Sequence, residues 1–127
     1  TYYVFKMYQV HQGAMQLPVN FDSPVYEQEG LKMNALHASA STNGGEINLT
    51  ICNLDPEQDH PLTLNLSGEA YTQSEGQIIT AERMQAYNDF GQAEAVSLAA
   101  FDLPQPKKNQ LKVTLPAKSV VHIRLKP

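Results

Sequence analysis

The chain has 127 residues, 42% of them hydrophobic and 17% charged, which suits a single domain with a real core. Thirteen acidic against nine basic residues leave a net charge of -4, so there is no basic footprint for nucleic acid or for an anionic membrane surface. No apolar run reaches bilayer-spanning length, and the opening Thr-Tyr-Tyr-Val-Phe-Lys lacks the basic start and small-residue cleavage site of a signal peptide.

From Tyr3 to Gln12 apolar or aromatic side chains recur at helical spacing: Tyr3, Val4, Met7, Tyr8 and His11, with Val10 beside them. This predicts a short amphipathic helix stopped at Gly13 and ended for good by Leu17-Pro18-Val19. A helix this short is marginal alone in water, so Phe5, Met7 and Tyr8 are expected to pack on something. The chain opens without methionine and inside that helical pattern, which points to a longer protein continuing upstream.

After Leu31 the period changes to two, the spacing of a strand. Met33 to Ser41 reads as a strand, Thr42-Asn43-Gly44-Gly45 as a hairpin turn, and Glu46 to Asn53 as the clearest strand, with Ile47, Leu49 and Ile51 on one face. Glu27 and Glu29 read as part of a polar connection before Gly30. Beyond the polar stretch Asp55–Pro61, the alternation of Leu62, Leu64 and Leu66 gives another strand, taken as an antiparallel partner of the previous one. Gln77 to Gln85 is a further candidate, followed by a turn at Tyr87–Gly91. Leu111–Leu115 and Val120–Leu125 are expected as a hairpin closed by Pro116–Ser119. Many short strands with polar turns imply an all-β antiparallel sandwich, jelly-roll-like, with a short N-terminal helix.

The chemistry-bearing residues favour bland roles. The lone Cys52 sits on a strand and reads as structural filler. Asp55, Glu57, Asp59 and His60 share a loop whose oxygens and imidazole suit a cation, yet Pro56 and Pro61 mark an ordinary solvated turn and the EF-hand spacing is missing. His11, His37, His60 and His122 are far apart in sequence and form no metal-ligand pair. Glu27, Glu29, Glu69, Glu75, Glu82 and Glu94 supply carboxylates in number, while glycoside hydrolysis needs two at a defined separation. Asn48-Leu49-Thr50 and Asn65-Leu66-Ser67 match the glycosylation acceptor pattern, which is common by chance. No cofactor motif is present.

The run Tyr2-Tyr3-Val4-Phe5-Lys6-Met7-Tyr8-Gln9-Val10-His11-Gln12 resembles a segment near the end of glycoside hydrolase family 51, the α-L-arabinofuranosidases. Leu54-Asp55-Pro56, Met84–Phe90 and Val113–Val121 resemble that family's C-terminal region in the same order. The resemblance implies a retaining enzyme that removes terminal arabinofuranose from arabinan or arabinoxylan, with both catalytic glutamates on a (β/α)8 barrel upstream. Neither catalytic motif matches a position in this chain, so it is expected to be inactive by itself. Residues 1–16 would be the helix and connection from that barrel, and residues 17–127 the C-terminal sandwich. The expected partner is the barrel of the same parent chain, with Phe5, Met7 and Tyr8 facing it or serving self-association. The family's sandwich also receives chain from before the barrel, which would leave an unpaired edge here. A carbohydrate-binding module is the competing reading, weakened by the lack of Trp and by the scatter of Tyr26, Tyr71 and Tyr87.

Overall fold

In the computed structural model, which describes residues 1–127, the N-terminal spacing produces α1 (Tyr2–Tyr8), continued by a 3-10 turn at Gln9–His11. The expected stop follows, since Gly13 holds φ +70, a conformation few side chains tolerate. Ten strands come next: β1 (Met15–Leu17), β2 (Val25–Gln28), β3 (Leu31–Asn34), β4 (Leu36–Asn43), β5 (Glu46–Asn53), β6 (His60–Asn65), β7 (Gln73–Thr80), β8 (Leu98–Ala100), β9 (Gln110–Leu115) and β10 (Ser119–Lys126). They form a six-stranded sheet in the order β1-β4-β5-β10-β7-β8 and two pairs, β2-β3 and β6-β9, antiparallel throughout.

The pair β6-β9 lies over the large sheet and closes the sandwich core. Leu111, Val113 and Leu115 from β9 meet Leu49 and Ile51 from β5 and Val121, Ile123 and Leu125 from β10, with Leu62 and Leu64 packed alongside. Burying each such side chain stabilises the fold by ~1.5–3 kcal/mol relative to leaving it in water. The alternation along β5 thus selects an inner face of Ile47, Leu49 and Ile51 and an outer face of Asn48, Thr50 and Cys52.

Several sequence expectations give way to long-range pairing. The strand expected at Met33–Ser41 is two strands, split at the fully buried Ala35, whose N–H donates to Pro24 O and whose carbonyl accepts Leu54 N–H. Glu27 lies on β2 and not in a connection; the turn is Glu29-Gly30, both at positive φ (52 and 81), as a two-residue hairpin demands. β6 pairs with β9, not with β5, so the two strands read as partners belong to opposite sheets. For the same reason β9 and β10 are not a hairpin: Pro116–Lys118 carries the chain from one sheet to the other. The strand expected at Gln77–Gln85 lies earlier, because its register against β10 runs from Gln73↔Lys126 to Thr80↔Ser119 and stops where β10 begins. The short β1 pairs with β4, from Met15↔Thr42 to Leu17↔Ala40, tying the segment after the helix into the sheet.

Candidate functional site

Two regions of the molecule concentrate polar chemistry. The first is the loop after β5. Asn53 is 1% exposed, and its Nδ2 lies 3.0–3.1 Å from the carbonyls of Gln58, Leu115 and Pro116, while its Oδ1 accepts Asp55 N–H. Asp55 Oδ1 accepts the N–H groups of Glu57 and Gln58, each at 3.0 Å, and Oδ2 faces His60 Nε2 at 3.2 Å. Burial pushes the Asp55 carboxyl up, but the two amides and His60 outweigh it and hold the group below its ordinary value. Asp59 Oδ1 accepts Ala117 N–H at 2.8 Å, and Lys118 Nζ donates to Pro56 O at 3.1 Å. Asp55 and Asp59 are thus spent on backbone amides and His60 on Asp55: this loop pins the crossover between the two sheets, and no group of three or more His, Cys, Asp or Glu side chains converges as a metal site.

The second region is the outer face of the six-stranded sheet, where α1 and its 3-10 turn lie. Met7 is 2% exposed and forms the apolar contact. His11 bridges Ser41 Oγ at 2.6 Å and Thr50 Oγ1 at 2.9 Å. Thr50 Oγ1 also donates to Ser39 O, so it accepts from His11 Nε2; in the neutral ring Nδ1 is then the acceptor for the Ser41 hydroxyl. Burial lowers the His11 pKa, which favours that neutral form. Tyr8 Oη meets Cys52 Sγ at 3.4 Å, and burial, reinforced by Cys52, pushes the phenol up to about 12. Cys52 therefore sits beneath the helix as packing.

Farther along this face the half-exposed Arg124 lies among Glu46 Oε2 (3.7 Å), Glu75 Oε2 (4.0 Å) and buried His122. Its Nε is buried without a hydrogen-bond partner. His122 Nε2 pairs with Asn48 Oδ1 at 2.9 Å, and burial followed by the neighbouring Arg124 charge lowers its pKa to about 4. A hollow of about 320 Å³ opens over Glu75, Gln77, His122 and Arg124, beside β8.

The three residues singled out at the N-terminus separate here. Met7 is buried within the chain, Tyr8 is half-buried against Cys52, and Phe5 is 70% exposed together with Tyr2. Of the glutamates weighed, Glu75 is lowered by Lys126 at 3.0 Å and by Arg124, the wrong direction for a proton donor, Glu27 pairs with Lys32, and Glu94 accepts from Tyr3 Oη. Asn48 is buried against His122 and closed to glycosylation, whereas Asn65 lies exposed on β6. Tyr26, Tyr71 and Tyr87 are spread over a hairpin, the inter-sheet core and a loop. No helix is long and apolar enough to cross a membrane.

Comparison with known proteins gives this architecture a family. The family model of the α-L-arabinofuranosidase C-terminal domain matches residues 1–119. The chain is 35% identical to an intracellular exo-α-L-arabinofuranosidase of Bacteroides ovatus, over 98% of this chain and 25% of that protein. It superimposes with a TM-score of 0.94 on the GH51 arabinofuranosidase of Xanthomonas axonopodis pv. citri, at 31% identity, covering 99% of this chain and 26% of the other. A family 51 enzyme of Bifidobacterium longum, AbfB, shares the fold at TM-score 0.69 and 24% identity, over 82% of this chain and 21% of its own. The chain spans about a quarter of the length of these relatives. By sequence and by superposition alike, the chain belongs to the α-L-arabinofuranosidase C-terminal domain family.

Proposed function

We propose that this domain is the non-catalytic sandwich of an α-L-arabinofuranosidase whose upstream (β/α)8 barrel removes terminal α-L-arabinofuranosyl residues from arabinan or arabinoxylan with retention. The observation that carries this reading is the superposition along 99% of the chain on a family 51 enzyme four times its length. The domain's work is mechanical. α1, fastened to the outer face by Met7, Tyr8 and His11, presents Tyr2 and Phe5 to the barrel.

A second contact with the rest of the parent lies at the uneven closure of the sandwich. The upper sheet has two strands against six below, leaving a groove of about 400 Å³ lined by Leu17, Val19, Leu62, Leu64, Leu66 and Tyr71 among others. Chain from before the barrel would fill it and pair with the free edge of β6.

Hydrolysis of a chromogenic α-L-arabinofuranoside by the full-length parent and, side by side, by this chain tests the reading. Activity in the parent alone is the expected result. Activity in this chain would overturn it, and so would a parent inactive on the arabinofuranoside but active on another glycoside. Retention of this chain on an arabinan or xylan matrix, lost on Tyr71→Ala or Tyr87→Ala, would favour a carbohydrate-binding module.

A further inference from the structure

We propose that residues 81–97, the connection from β7 to β8, form a second arm of the barrel-docking surface, with Phe90 as its anchor; this rests on the reading just given. Phe90 is fully exposed, and Tyr87 and Met84 are 72% and 60% exposed. Solvent alone gives no reason to hold three large apolar side chains outward on one connection. Nor is the connection a loose one. Asn88 clamps it across eight residues, its Nδ2 donating to Val96 O at 2.6 Å and its Oδ1 accepting Val96 N–H at 2.8 Å, so the tip bearing Phe90 is held as a closed loop.

The occupant follows from where this loop stands. Tyr3 Oη donates to Glu94 Oε1 at 2.6 Å, tying the loop directly to α1. The relatives are about four times as long as this chain, which matches their C-terminal domain, so in the parent the preceding polypeptide enters at α1 itself. Whatever covers Tyr2 and Phe5 on α1 is therefore brought against the loop by covalent continuity. A third feature lies on the same outer face: Arg124, whose Nε faces Glu46 Oε2 at 3.7 Å and makes no closer contact, lines the hollow next to β8, the strand into which the loop runs. The surface thus combines aromatic anchors on two elements with a polar cluster beside them, the pattern of a packed interdomain contact.

Hydroxyl-radical footprinting of the full-length parent tests this, each side chain's oxidation being compared with that of the same residue in urea-unfolded parent. The expected result is protection of both Phe5 and Phe90 by at least about ten-fold, as for anchors in a desolvated contact. Asn88→Ala should return Phe90 toward the unfolded rate while Phe5 stays protected. Phe5 protected with Phe90 oxidised at the unfolded rate would overturn the loop's role and leave barrel docking through α1 standing. Both residues at the unfolded rate would overturn the two together. Protection of Phe90 that vanishes on dilution of the parent would assign the loop to a second copy of the protein and overturn the inference as stated.

Discussion

Asn53 and Asp55 do with two side chains what a disulfide or a bound ion does in other small domains: they lock a loop whose backbone groups would otherwise be buried without partners. Replacing Asp55 by Ala leaves the amides of Glu57 and Gln58 and the ring of His60 uncompensated, and should cost about 2–3 kcal/mol, read as a lower urea midpoint with an unchanged slope. The sequence marks this stretch as polar and turn-rich, and it does so correctly. Its target is invisible there, because Leu115, Pro116 and Ala117 are about sixty residues away.

His122 carries a pH dependence of definite sign. Its folded pKa of about 4 lies below the ordinary histidine value, so the unfolded chain takes up a proton before the folded one does. Stability is complete above about pH 6.5 and falls as the pH drops from there to about 4, at up to about 1.4 kcal/mol per pH unit while only the unfolded state is protonated. Asp55, lowered as well, adds a loss at still lower pH. Melting temperatures between pH 7 and pH 4 should decline, and His122→Gln, which keeps a donor for Asn48, should flatten the decline. An identical slope in the variant would assign the dependence elsewhere. As a lone histidine on an alternating strand, residue 122 announces none of this; its burial comes from neighbouring strands on both sides and from the covered outer face.

Among the elements, β7 shows how tightly the edge of the large sheet is fitted. A methyl group at Gly76 would stand 2.6 Å from Phe101 O and 2.9 Å from Leu103 Cδ1, and the first of these is backbone that cannot turn aside. Gly76→Ala should destabilise by about 1–3 kcal/mol, and hydrogen exchange would show the loss first at Phe101 N–H, which donates to Gly76 O. The same substitution at Gly68, where a methyl meets open space, acts only through its φ of +97.

The elements also divide cleanly by legibility. β5 emerges from alternation with its boundaries intact at Glu46 and Asn53, because both flanks carry turn chemistry. β1 and β8 have three residues each, too few for a period, and exist through their partners. The Glu29-Gly30 turn hides because Glu is an unusual residue at positive φ. Alternation reports which face a residue takes and says nothing about which strand lies beside it, so the β9-to-β10 connection reads as a hairpin when it is a crossover.

For the whole molecule, an antiparallel sandwich with an N-terminal helix was legible from periodicity, and the family from the run Tyr2–Gln12 together with three later motifs. The candidate contact surface was legible only in part. Met7, Tyr8 and His11 stand out at helical spacing, while the outer-face bonds of His11 to Ser41 and Thr50 and of His122 to Asn48 join residues up to 74 positions apart. The uneven sandwich gives a prediction at this scale. Leu62→Asp or Leu64→Asp should lower the melting temperature of the full-length parent more than that of this chain if, as proposed, the groove they line is filled only in the parent. Equal losses in both would mean the groove stays empty.

The fastening of α1 has one further consequence. Met7, the His11 bridge and the β1–β4 ladder seize the first seventeen residues from three directions, leaving no slack segment between helix and sheet. On the proposed reading, polypeptide arriving upstream would meet a rigid handle in place of a tether. The two bodies would then tumble as one particle, and swivelling at this joint would require the helix to be peeled from the sheet.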